Sequence, residues 1–133
     1  MKKFGLFTLS GLIAVACAFG VDINRASAIK QFQDEFKAKY VKEGGTDAEK
    51  SLASAVEAAK CNVCHDANSK SKKDHNVYGK ALAELLDKKT DKDDKAKIQA
   101  ALDTVAKMPS KPDDTESPTF GALIAEGKLP GGQ

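Results

Sequence analysis

The sequence predicts an all-α fold, and three observations carry that expectation. Apolar residues recur at helical spacing in five segments, each opened or closed by a capping or breaking residue. No segment alternates apolar and polar residues over a strand's length. A chain of 133 residues, 41% hydrophobic and 30% charged with only three Cys, fits one globular domain; a multidomain enzyme, a disulfide scaffold and a wholly disordered chain are all excluded.

Residues 1–28 read as a cleaved secretory signal peptide, because Lys2-Lys3 precede an apolar run from Phe4 through Phe19. Small-x-small steps occur at Ala16-Cys17-Ala18 and Ala26-Ser27-Ala28. The second stands just before an amphipathic segment, so cleavage is expected after Ala28, leaving Ile29 first and removing Cys17. Lipidation of Cys17 calls for a branched or leucine-type residue three positions earlier, where Ala14 stands. Cleavage removes Lys2, Lys3 and Arg25 from 21 basic residues and Asp22 from 19 acidic ones, leaving 18 of each in a mature chain of 105 residues. That balance gives no support to nucleic-acid binding or to adsorption on an anionic membrane.

The N-terminal helix, within residues 29–45, carries Ile29, Phe32, Phe36 and Tyr40-Val41 over a Lys-rich face and is stopped by Gly44-Gly45. Residues 46–133 form the main domain. Thr46-Asp47-Ala48-Glu49 is a capping box opening a helix to about Lys60, with Leu52, Val56 and Ala59 on one face. Asp66 to Asn76 is polar and turn-rich, hence a loop, and Val77 to Leu86 resumes helical spacing through Ala81, Leu82 and Leu85. A fourth helix, about Asp93 to Lys107, repeats Ile98, Ala101, Leu102 and Val105, and Met108-Pro109 ends it. Ser117 as cap with Pro118 at the first position announces the last helix, which buries Phe120, Leu123 and Ile124 and stops at Gly127. Only three Phe and two Tyr remain in the mature chain, so a bound cofactor is expected to fill the centre.

The chemistry lies in Cys61-Asn62-Val63-Cys64-His65. Two thiols three residues apart at a helix end can each add across a haem vinyl group, while the adjacent imidazole turns beneath the iron. The expected cofactor is therefore one covalent haem c on Cys61 and Cys64, with His65 as proximal ligand, inside a small cytochrome c-like helical domain. A zinc site would need a second Cys/His pair, and only His75 is on offer. A thioredoxin-like redox pair would need βαβ surroundings. A plain Cys61–Cys64 disulfide would staple too short a loop to stabilise much.

For the distal position the first candidate is Met108, 43 residues beyond His65 in a Met-Pro step between two helices. The alternative is His75, ten residues beyond His65 in the polar loop. An open or water-bound site is the third arrangement.

The runs Phe36-Lys37-Ala38-Lys39-Tyr40, Cys61-Asn62-Val63-Cys64-His65, Asn76-Val77-Tyr78-Gly79-Lys80-Ala81-Leu82 and Ser117 through Pro130 resemble the small secreted monohaem c-type cytochromes of planctomycetes, which include the anammox cytochromes of the NaxLS type. The resemblance covers nearly the whole mature chain. It implies haem c on Cys61 and Cys64, His65 as proximal ligand and a compact helical fold. For the anammox members it also implies pairing of two small cytochromes and binding of nitric oxide (NO) or carbon monoxide (CO). Those members use a distal Cys, whereas no Cys follows Cys64 here, so a His/Cys site would require Cys17 or a partner chain.

Function is then expected to be electron transfer in the periplasm or an equivalent extracytoplasmic compartment, with Lys70, Lys72, Lys73 and Lys80 around the haem loop suiting an acidic redox partner protein. The alternative is binding or sensing of NO or CO, as a homodimer or as half of a cytochrome heterodimer. Peroxidase-type turnover would need a distal acid/base pair, for which His75 with Asp74 is the only candidate, so no enzymatic role is expected.

Overall fold

The computed structural model describes residues 23–42, 44–71 and 73–132. Its elements are α1 (Ile23–Tyr40), α2 (Asp47–Ala59), a 3-10 turn (Lys60–Val63), α3 (Val77–Leu85), α4 (Lys95–Ala106), β1 (Pro109–Lys111), β2 (Asp114–Thr119) and α5 (Phe120–Ala125). The protein is mostly helical, but β1 and β2 pair in a small antiparallel sheet that corrects the expectation of an all-α chain.

The first helix starts at Ile23 and runs without a break across the expected cleavage point between Ala28 and Ile29. Residues 1–22, with the apolar run and Cys17, lie outside the described residues, as does the Ile29 side chain. At the start of α2 the capping box is present: Glu49 N donates to Thr46 Oγ1 at 3.3 Å and Thr46 N donates to Glu49 Oε2 at 2.7 Å. Two orphan donors of the first turn are thereby satisfied locally. Leu52 and Val56 face inward from α2, and Ile98, Ala101, Leu102 and Val105 face inward from α4. On α3 the inward residues are Tyr78, Gly79 and Leu82; Leu85, expected on that face, is exposed, and Leu86 just past the helix end is buried instead.

The C-terminal region departs most from expectation. Ser117 and Pro118 lie in β2, and the cap of α5 is Thr119, whose hydroxyl accepts from Ala122 N at 3.1 Å. Ser117 is occupied across the hairpin, accepting from Lys111 N at 3.1 Å and donating to Asp114 O at 2.7 Å. Pro118 lacks a ladder donor, which a two-stranded edge tolerates. The helix stops at Gly127 as expected, with φ at +79°, and a Cβ there would meet Ala48 O at 2.5 Å.

Three of the chain's own rings meet at the centre. Phe36 of α1, Tyr78 of α3 and Phe120 of α5 are each at most 2% exposed. They meet edge to face, Phe36–Tyr78 at 5.9 Å and Tyr78–Phe120 at 5.2 Å between centroids. A ladder of polar contacts seats α1 on α4, including Lys39–Asp103 at 2.8 Å, Gln99 Nε2 to Glu35 Oε2 at 2.7 Å and Tyr40 Oη to Leu102 O at 3.2 Å.

Candidate functional site

At the end of α2, Lys60 takes φ 50° and ψ −118°, a left-handed conformation costly for a residue with a side chain. The chain turns out of the helix there and enters the 3-10 turn that carries Cys61. Cys61 is exposed, Cys64 is half-buried, and both thiols are free. Burial, and next the neighbouring Cys61, pushes the Cys64 thiol up to about 12. A thioredoxin-type pair works through the opposite shift, which makes one thiol a ready thiolate. Among the described residues no group of three or more His, Cys, Asp or Glu is arranged to hold a metal ion, so the zinc arrangement is not assembled there.

Beyond Cys64 the chain loops out and comes back against itself. Asp66 N donates to Asp74 O and Asn76 N donates to Cys64 O, both at 3.1 Å. These two bonds flank His65 and His75 and make them directly opposed residues of a short antiparallel bridge, the pairing in which side chains stand closest. Their rings stack at 4.8 Å between centroids, 23° from parallel. His65 is buried, and its Nδ1 lies 3.2 Å from Asp74 O. A carbonyl only accepts, so Nδ1 carries a proton, and in the neutral ring the lone pair then sits on Nε2. Burial first, then His65 and Lys88, with Lys80 adding to them and Asp74 opposing, holds the His75 imidazole below its ordinary 6.5.

The two histidines line a cleft of about 490 Å³ with Asn76, Lys80, Gly131 and Gly132 on its walls. That volume lies within the roughly 300–1,000 Å³ usual for cofactor sites. Of the Cys61–His65 segment only His65 lines this cleft; neither thiol does.

The sequence-predicted residues separate into two groups. His65 and His75 come together, whereas Met108 is absent from the cleft lining and packs, half-buried, on the hydrophobic core. Cys64 packs on the same core. The rings of His65 and His75 lie face to face, so both could hold one metal only if the stack opened. Asp74, the conceivable acid/base partner of His75, has its carboxylate engaged by the Ser69 hydroxyl. Lys70, Lys73 and Lys80 are exposed; Lys72 lies outside the described residues.

Sequence reasoning missed Asn76 and Gly79 as parts of the site. Asn76 caps α3, accepting from Gly79 N at 2.9 Å, and an Asn before a helical run is a signal for that cap. Its second role, donation from Nδ2 to Asn62 O and Val63 O, both at 3.1 Å, is tertiary and has no local signature. Gly79 lets α3 approach the Cys61–His65 segment, since a Cβ there would stand 1.9 Å from Cys64 O. No protein-family model matches the chain, and no curated protein or solved structure is significantly similar to it.

Proposed function

We propose that the protein is an exported monohaem c-type cytochrome acting in electron transfer, with haem c on Cys61 and Cys64 and His65 as proximal ligand. The observation that carries this reading is the setting of His65, which directly follows the Cys pair in sequence, is buried, and has its Nδ1 on Asp74 O, an arrangement that would leave Nε2 of the neutral ring for a metal. When bound, the haem supplies a one-electron ferric/ferrous couple. The protein's part is to hold and tune it. The carbonyl of Asp74 fixes the ring's tautomer and adds electron density to His65, as outer-shell acceptors do for metal-bound imidazoles. Two thioether links would pin the macrocycle to the turn after α2.

For the distal position Met108 remains the proposed ligand. It packs on the same core as Cys64, and its unbranched thioether side chain adapts readily. The stack of His75 on His65 would have to open before both could hold one metal. Exposed Lys70, Lys73 and Lys80, the last on the cleft wall, suit an acidic redox partner.

Expression with a cytochrome c maturation system, acid-acetone extraction and a spectrum with and without CO test the reading. Haem retained on the polypeptide and little CO uptake by the reduced form are expected. Haem released into the solvent overturns covalent attachment, and rapid CO uptake transfers the function to diatomic gas binding.

A further inference from the structure

We infer that Asn76 is the positioning residue that holds the attachment loop, and through it His65, in the conformation the cofactor requires. The inference rests on the function proposed above and names a residue that the sequence motif does not contain.

One side chain and one amide of Asn76 bind three consecutive carbonyls of the loop. Nδ2 donates to Asn62 O and Val63 O, each at 3.1 Å, and the backbone N donates to Cys64 O at 3.1 Å. His65 O lies a further step along, 3.5 Å from the same Nδ2. Oδ1 meanwhile accepts from Gly79 N at 2.9 Å, so the same group is fixed to the first turn of α3. The amide uses two donors on the loop and one acceptor on the helix, which only a carboxamide of this length can do. Asp would place a second acceptor where two carbonyl oxygens converge, and Ser would leave them without a donor.

The C-terminal segment closes the amide in from the other side. Pro130 is fully buried, and a Cβ built on Gly131 would stand 2.0 Å from Asn76 Nδ2. Gly131 therefore leaves room for the amide, and the anchored Pro130 limits how far the tail can retreat.

Capping and loop holding separate by substitution. Asn76→Asp and Asn76→Ser both keep an acceptor for Gly79 N, since Asp and Ser cap as well as Asn, but lose the donors to Asn62 O and Val63 O. Gly131→Ala leaves Asn76 intact and displaces its amide. Two readouts on the purified full chain decide the matter: amide hydrogen exchange at Cys64, His65 and Asp66, and the reduction potential of the haem-loaded form. All three variants should exchange those amides about tenfold faster than wild type. They should also shift the redox equilibrium about tenfold toward the ferrous form, a rise of ~59 mV for one electron, because a loosened imidazole stabilises ferric iron less. Wild-type exchange and potential in Asn76→Ser would reduce Asn76 to a helix cap and overturn the inference. The exchange readout does not depend on haem, so absence of covalent haem from the wild type would refute the proposed function while exchange still decides the role of Asn76.

Discussion

Replacing Gly79 with Ala reverses the sign that helix propensity alone would give. Inside a helix, Gly to Ala is worth ~1 kcal/mol in favour of Ala, and Gly79 has an ordinary helical backbone that Ala can adopt. The added methyl, however, would stand 1.9 Å from Cys64 O, 2.9 Å from Cys64 C and 3.1 Å from His75 Cβ. The first two neighbours are backbone and cannot rotate away, so α3 and the attachment loop must part by more than an ångström. Overpacking of that kind costs ~1–3 kcal/mol. Separation also stretches the bonds from Asn76 to the loop carbonyls, each worth about 1 kcal/mol. Set against the propensity gain, the net is a destabilisation of ~2 kcal/mol, which at 4–8 °C per kcal/mol for a domain of this size lowers Tm by ~8–16 °C. Thermal melts of the haem-loaded protein followed by far-ultraviolet circular dichroism measure this directly. A Tm equal to or above that of wild type would refute the close approach of α3 to the loop.

Met108→Ala should abolish the weak near-infrared sulfur-to-iron band of the oxidised protein and open the reduced iron to CO, whereas His75→Ala should change little; the reverse pattern would establish bis-His ligation. Tyr40 is held up to about 12 by burial and then by Asp103, and Tyr78 is raised further, chiefly by burial. The unfolded chain loses those protons near its ordinary 10.0, so the stabilisation is complete below that pH and is lost as pH rises toward 12. A phenolate absorbance titration should accordingly show ionisation of Tyr40 and Tyr78 together with unfolding. The Asp91 carboxyl is kept below 3.8 first by the Lys97 ammonium at 2.6 Å and then by the Asp87 amide. Its contribution is present above that pH and lost below it, so Asp91→Asn should lower Tm at neutral pH and flatten the acid limb of the Tm–pH profile.

Local structure was legible in the sequence where the physics is local. Thr46 and Glu49 close their own turn three residues apart, and Ile98 to Val105 repeat at the helical period, so α2 and α4 could be read from short windows. The hairpin of β1 and β2 could not, because its register is irregular between Pro109 and Lys111 and it is held partly by Ser117 reaching back to Lys111 and Asp114. A Ser-Pro step reads as a helix start only when Ser is free to cap, and Ser117 is not. In the site, Cys61, Cys64 and His65 announce themselves by spacing. The partners that set His65 are a main-chain carbonyl at 74 and an amide at 76, brought beside it by the closure of a polar loop. The meeting of Phe36, Tyr78 and Phe120 was out of reach for a related reason: they stand on three helices far apart in sequence and touch edge to face only once the fold brings them together.

The choice of Asp74 O, a main-chain atom, as the acceptor for His65 has an evolutionary consequence. A side-chain carboxylate in that place would be removed by a single substitution and neutralised by acid. A peptide carbonyl is present whatever residue occupies position 74 and does not titrate in the range where proteins survive. The ring's tautomer is thereby insulated from drift at the neighbouring codon and from titration of its acceptor. Sequence change at position 74 can alter the loop's charge without altering which nitrogen of His65 carries the proton.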